Sequence, residues 1–195
     1  KLLGYRAPHQ GVLNVWIRTV GQNDDHVVTA DKKRGIRWFM FQYDSDHILY
    51  TQDLDGDENW HVYQTNLKTK NTRDLTPFQG VQARIVAVDP SFPDQILVGL
   101  NIRDRKFHDV YRIDLKNGAV DLDTENPGDV ADWAIDNAFQ VRAAQIYLPD
   151  GGNEARQVVQ ALVRQGRKVL QQRLARVDTT DVAQRKLAQL REALE

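Results

Sequence analysis

Two serines and no cysteine are all that this 195-residue chain offers as the common acyl-transfer nucleophiles. Ser45 lies in Tyr43-Asp-Ser-Asp46 and Ser91 in Asp89-Pro-Ser-Phe-Pro93, both turn sequences. A serine nucleophile on a strand-to-helix elbow needs Gly-x-Ser-x-Gly, so that backbone N–H groups can approach and form an oxyanion hole. Neither serine has those glycines, so no catalytic residue is assigned. His61 stands close to Asp57 and Glu58, a pattern that suggests acid–base work. Without a nucleophile nearby it is read as a structural histidine at a strand edge. Asp53, Asp55, Asp57 and Asn59 alternate as oxygen ligands do in short Ca²⁺ loops. Yet Glu58 occupies the position that requires glycine, and Gln64 the one that requires a bidentate glutamate. No metal is therefore assigned, and these side chains are expected to cap backbone N–H groups in a turn. A mixed-charge set remains as candidate substrate or partner contacts: Asp57, Glu58, His61, Arg103, Arg105 and Lys106.

The elements that hold these residues repeat. His47-Ile-Leu-Tyr and Trp60-His-Val-Tyr-Gln-Thr-Asn-Leu67 recur as Gln95-Ile-Leu-Val and His108-Asp-Val-Tyr-Arg-Ile-Asp-Leu115, an offset of 48 residues. Upstream, Asn14-Val-Trp-Ile-Arg-Thr-Val20 aligns with His61 to Leu67, and Val28-Thr29 with Leu75-Thr76. A period of about 40–50 residues built from short β-runs marks propeller blades. Each repeat resolves into strands a to d. The first complete blade has Trp38–Tyr43, His47–Thr51, Trp60–Leu67 and Arg73–Thr76; the second has Ala83–Val88, Gln95–Asn101, Asp109–Leu115 and Ala119–Leu122. Lys68-Thr-Lys-Asn71 and Lys116-Asn-Gly118 read as the c-to-d hairpin turns, the latter favoured because Asn-Gly accepts positive φ. Gly11 to Ala30 supplies only a c/d half-blade, and Ala131 to Tyr147 only an a/b half-blade. These two halves are complementary.

In such a blade the b-to-c and d-to-a connections emerge on one face. That placement gathers 55–59 and 103–106 with Lys32-Lys-Arg34 and Phe78-Gln-Gly80. Loops there are polar because they are exposed, but the composition also suits recognition. The aromatics Trp16, Trp38, Phe39, Phe41, Trp60 and Trp133 are expected to pack between blades.

After Pro149-Asp-Gly-Gly152 the period shifts towards 3.6. Val159, Val163, Leu170, Leu174 and Val177 form one stripe, and Ala183, Leu187, Leu190 and Leu194 another, with Thr180 or Asp181 as cap. The fold class is thus mainly β: a partial propeller over 1–152, with two complete blades and two half-blades, and an α-helical hairpin tail over 153–195. The tail carries nine Lys/Arg against five Asp/Glu. Overall the formal charge is -1, which gives no reason to expect nucleic acid or anionic membrane as partner. No apolar run approaches the about 18 residues of a membrane span. Zero cysteines fit a cytoplasmic location, with export left open. No cofactor is expected.

Gly35-Ile-Arg-Trp-Phe39 with Leu49-Tyr-Thr-Gln-Asp-Leu-Asp-Gly-Asp-Glu-Asn-Trp-His-Val-Tyr63 resembles the propeller of the prolyl oligopeptidase family of serine peptidases, in particular bacterial acylaminoacyl-peptidase and dipeptidyl-peptidase-like members. Asp74-Leu-Thr-Pro-Phe-Gln-Gly-Val-Gln-Ala83, Val98-Gly-Leu-Asn101, His108-Asp-Val-Tyr-Arg112 and Glu125-Asn-Pro-Gly-Asp-Val130 extend the resemblance over roughly 12–152. It implies a propeller that filters peptides for a Ser-Asp-His hydrolase domain. Dipeptidyl-peptidase members hold the substrate amine with paired glutamates after a Trp-x-Tyr run. Here Trp60-His-Val-Tyr63 is followed by Gln64, so the resemblance does not carry over that subtype. Two functions stay open: the non-catalytic, substrate-gating propeller of such a peptidase, or a stand-alone binding or assembly module self-associating through its tail. The partners implied are a peptide or protein, a hydrolase domain, or a second copy of the chain.

Overall fold

Runs rich in Val, Ile, Tyr and Thr, bracketed by Asp, Asn and Gly, set the strands. A computed structural model describes residues 1–148, 151–159 and 170–177. Four antiparallel sheets account for the strands. The first is three-stranded, with β1 (Leu2–His9), β2 (Val12–Thr19) and β3 (His26–Val27) in that order. The second orders β4 (Phe39–Phe41), β5 (His47–Gln52), β6 (His61–Asn66) and β7 (Thr72–Asp74). The third contains β8 (Ala83–Ala87), β9 (Gln95–Asp104), β10 (Phe107–Asp114) and β11 (Val120–Thr124). The fourth contains β12 (Val130–Ile135), β13 (Val141–Tyr147), β14 (Asn153–Val159) and β15 (Leu170–Val177). Neighbours in sequence are neighbours in each sheet, the up-and-down order of a propeller blade.

The 48-residue offset returns as repeated hydrogen bonds. Leu67 N donates to Asp46 O at 2.9 Å, and Leu115 N to Asp94 O at 2.8 Å. The Asn66 side-chain oxygen accepts from Lys68 N and Thr69 N, and the Asp114 carboxylate from Lys116 N and Asn117 N. Lys68 pairs with Asp46, and Lys116 with Asp94. Both c-to-d turns enclose three residues, closed by Lys70 N to Asn66 O and by Gly118 N to Asp114 O. The closing residue has positive φ in each, 60° at Lys70 and 81° at Gly118. The upstream copy obeys the same rule. Thr29 Oγ1 accepts from Val15 N, as Thr76 Oγ1 accepts from Val62 N, and all four residues are buried.

By contacts the chain forms two compact units, 1–96 with 113–120, and 97–112 with 121–195. In the first, Val15, Ile17, Val28, Ile36, Ile48, Tyr50 and Leu67 form a buried cluster, with Phe39, Phe41 and Tyr63 packed against it. Each large apolar side chain buried this way contributes about 1.5–3 kcal/mol. Gly4 is glycine for want of space: a Cβ there would meet the Phe39 and Phe41 rings at 2.8–3.0 Å. The second unit has its own core, including Phe139, Val141, Ala143, Ala144 and Ile146.

Both ends differ from the sequence expectation. The first sheet has a third strand, β1, running in register from Leu2 opposite Thr19 to His9 opposite Val12. The fourth sheet is a complete blade, because β14 pairs with β13 and β15 with β14. The tail is therefore strand, not helix, at Asn153–Val159 and Leu170–Val177, and the propeller extends past 152. The reason is backbone satisfaction. Without β14, one edge of β13 would carry unpaired N–H and C=O groups. Leu148 and Gly152 close the hairpin by a 2.9 Å bond, with Gly151 at a φ of 82°. Two self-sufficient sheets at the ends also displace the composite blade expected from complementary halves. The stripe from Ala183 to Leu194, its cap at Thr180 or Asp181, and Val163 lie outside the described residues. No helix among those described is long and apolar enough to cross a membrane.

Candidate functional site

The loop between β5 and β6 is held by the segment that precedes β4. Arg34 Nε and Nη2 each lie 3.3 Å from the carboxylate of Asp53, which is buried. Lys33 Nζ reaches Asp55 at 2.8 Å. The expected gathering of 32–34 with 55–59 on one side of the first unit is thus realised. The carboxylates considered for Ca²⁺ are occupied by this architecture. Asp57 accepts from Leu54 N, Asn59 N and Asn59 Nδ2, and these bonds, the Asn59 amide first, hold its carboxyl below the usual range. Among the described residues no group of three or more His, Asp or Glu is arranged to hold a metal. Glu58 serves through its backbone, its carbonyl accepting from Gln82 Nε2 at 3.2 Å.

His61 is aimed at Asp74: Nδ1 lies 2.7 Å from Oδ2 in a half-buried pair. Its ring stacks near Tyr63, which stacks on Tyr50 with centroids 5.4 Å apart. Burial, followed by the charge of Asp74, pushes the Tyr63 phenol up to about 12. The site holds a His–Asp pair but no nucleophile. Ser45 sits at a φ of 64° with its N–H bonded to Gln42 O, and Ser91 N bonds to Asp89 Oδ1. Both are turn formers. Gln64 is buried and bonds to Gln42 Oε1 and Leu115 O, facing a structural network that includes Arg73.

Arg103 belongs to the second unit, where it makes an internal ion pair. Nε and Nη2 form a bidentate pair with Asp109 at 2.9 and 2.8 Å, and Nη2 also donates to Asn126 O. Asp109 is fully buried and accepts from Asn126 N at 2.6 Å. The Asp109 hydrogen bonds raise the Arg103 pKa above its ordinary value. Arg103 is thus a cross-brace with a half-exposed stem, not a free surface cation. Arg105 offers its carbonyl to Asn101, and Lys106 N bonds to Asp104.

One feature of the first unit escaped the sequence reading. Trp38 is not packed away but 46% exposed. With Thr51, Trp60, Gln82, Ala83, Arg84 and Ile85 it lines a cleft of about 450 Å³. The Arg37 guanidinium lies over the Trp60 ring, 5.6 Å from its centroid. Phe39 and Phe41 do pack as expected, edge to face at 6.2 Å. The recurrence of aromatics signals blade packing and does not separate these partly buried rings from the open one.

No protein-family model matches the chain. Dipeptidyl aminopeptidase BIII of Pseudoxanthomonas mexicana is 40% identical over 153 residues, which is 78% of this chain and 22% of that relative. Dipeptidyl peptidase family member 6 of Caenorhabditis elegans is 26% identical over 158 residues, 77% of this chain and 21% of the relative. Among solved structures, one from a study of two prolyl endopeptidases superposes with a TM-score of 0.56 at 15% identity, covering 90% of this chain and 27% of that one. Blades of this build define the region as part of a β-propeller. More particularly, it is a propeller region of the kind carried by prolyl oligopeptidase-family peptidases. The chain spans about a fifth of the length of the curated relatives it matches. One relative is named a dipeptidyl aminopeptidase and the other a dipeptidyl peptidase, the subtype that the resemblance by itself does not carry over to this chain. That motif describes one way of holding an amine, and most of each relative lies outside the match.

Proposed function

We propose that this stretch is the non-catalytic, substrate-gating propeller region of a prolyl-oligopeptidase-like serine peptidase. One observation carries the reading: 78% of the chain is similar to a named peptidase, while the sequence holds no Gly-x-Ser-x-Gly. The turn roles of Ser45 and Ser91 support it, since neither side chain sits where an oxyanion hole could form. In this reading the loops braced by Arg34–Asp53 and Lys33–Asp55 limit which peptides pass.

The test uses the full-length peptidase that this reading assigns to these residues. Arg34→Ala with Lys33→Ala should loosen the loop between β5 and β6. Cleavage of a folded protein substrate should then rise relative to a short chromogenic peptide with the same cleavage sequence. An unchanged ratio in a folded variant rejects gating. The 195-residue chain alone should take no label from a fluorophosphonate, and stoichiometric labelling at Ser45 or Ser91 would overturn its non-catalytic role.

A further inference from the structure

The cleft beside Trp38 combines two indoles with a cation in an unusual electrostatic position. Arg18, Arg34, Arg103, Arg112 and Arg142 each close on an aspartate. Arg84, exposed on the cleft wall, has only the neutral Gln82 Oε1 at 3.2 Å, and no carboxylate lies within ion-pair distance of it among the described residues. Arg37 adds a second guanidinium that engages the Trp60 ring rather than a carboxylate. The walls are rigidly set: Ala83 N bonds to Trp60 O at 2.7 Å, and Gln82 is tied to Glu58 O at 3.2 Å. At about 450 Å³ the space falls in the range of small-ligand sites, large enough for one or two amino-acid residues.

We infer that this cleft is a binding subsite for a peptide carboxylate, with an apolar side chain laid against Trp38 and Trp60 and the carboxylate bound by Arg84. Guanidinium is the cation best matched to a carboxylate, because its parallel N–H groups make two bonds at once. The indole faces supply apolar area beside it, and the Thr51 hydroxyl offers a hydrogen bond to a peptide backbone. The inference deepens the gating reading and rests on it for the peptidic character of the ligand. It adds a preference that nothing in the gating role requires.

The experiment titrates three blocked dipeptides into the ¹⁵N-labelled 195-residue chain while following the tryptophan indole N–H signals. Acetyl-phenylalanyl-aspartyl amide carries a side-chain carboxylate, acetyl-phenylalanyl-alanine a terminal one, and acetyl-phenylalanyl-asparaginyl amide none. Either carboxylate peptide should shift the Trp38 and Trp60 signals and bind about tenfold more tightly than the neutral one, a difference expected for one charge-assisted pair. Whichever of the two binds identifies the source as an acidic side chain or a chain end. Arg84→Gln should abolish the difference, and Arg84→Lys should keep part of it. Because Arg84 is exposed, both variants should retain the parent thermal midpoint. Equal affinity for all three peptides overturns the inference, as does the absence of shifts at Trp38 and Trp60. The two ideas fail separately. An unchanged cleavage ratio with binding intact removes gating alone, and lost binding with a changed ratio removes the cleft alone.

Discussion

The second and third sheets match at one end and part company at the other. At the c-to-d turns, residues 66–70 and 114–118 make the same hydrogen bonds to the same positions, down to the lysine that reaches back to Asp46 or Asp94. At the opposite end one repeat position holds three different residues. Asn14 binds Asp31 N and the Thr29 hydroxyl, His61 pairs with Asp74, and Asp109 takes Arg103 and Asn126 N. The difference separates scaffold from variation. Turn geometry fixes register and tolerates few solutions, whereas the loop end accepts any device that satisfies the polar group placed there.

The sharpest way to break the comparison is at that varied position. Arg103→Ala strands a fully buried Asp109 carboxylate. A loss near the lower end of about 3–5 kcal/mol is expected, since the arginine itself is half-exposed. Urea unfolding should show this as a lowered midpoint, and a loss below about 1 kcal/mol would return Arg103 to the status of a surface residue. The shared threonine comes next. Thr76→Val keeps the shape but leaves Val62 N–H buried without its acceptor, a loss of about 1–3 kcal/mol. Thr29→Val should lose a similar amount if the repeats are equivalent, and unequal losses would show that they are not.

A smaller effect of opposite sign is expected at the turn. Lys70 adopts the left-handed backbone that Gly118 adopts in the next copy, and it bears a Cβ penalty there. Lys70→Gly should gain about 0.5–1 kcal/mol after the added freedom of the unfolded chain is deducted. Gly118→Ala should lose stability, because a Cβ is strained at a φ of 81° and would also stand 3.3 Å from the Arg73 guanidinium. A thermal melt of each variant checks both signs. The last effect appears only in alkali. Tyr63 ionises at about 12 in the folded chain against an ordinary value of about 10. An acid whose folded pKa is raised lends stability below the unfolded value, and that stability is lost as pH rises from about 10 towards 12. Tyr63→Phe should flatten this part of the stability–pH curve, and an unchanged slope would locate the alkaline sensitivity elsewhere.

The blades were readable because their cross-strand partners sit at a constant offset. Ile48 and Ile96, or Leu67 and Leu115, are fully or almost fully buried in both copies, so sequence and packing repeat together. Strand β1 left no such trace: Leu2 and Leu3 are exposed, and Gly4 is shaped by Phe39 and Phe41 from another sheet. Strands β14 and β15 were misread because Leu170, Leu174 and Val177 fit helical spacing, and sequence spacing alone does not report the open edge of β13. The loop candidates met a similar limit. That Arg34 and Lys33 face Asp53 and Asp55 follows from blade topology. That Asp109 is buried under Arg103 does not, because a charged residue in a polar stretch reads as solvent-facing. The exposure of Trp38 is not legible for the converse reason, since an aromatic at a blade position is expected to pack inward.

The turn bonds that repeat every 48 residues also give the second and third sheets one end of fixed design and one end that varies. Because the bond from Leu67 N to Asp46 O fixes the register of β5 and β6 at one end, the tip of the connection between them at the other end is not needed to align the strands. Doubling the length of such a loop adds only about 0.6 kcal/mol of closure entropy. A foreign segment, an epitope or a reporter peptide spliced in at Gly56 should therefore be displayed without disturbing the sheet, while the same graft between Asn66 and Asn71 should unseat it. For an engineer this chain is a handle with a socket at one end only.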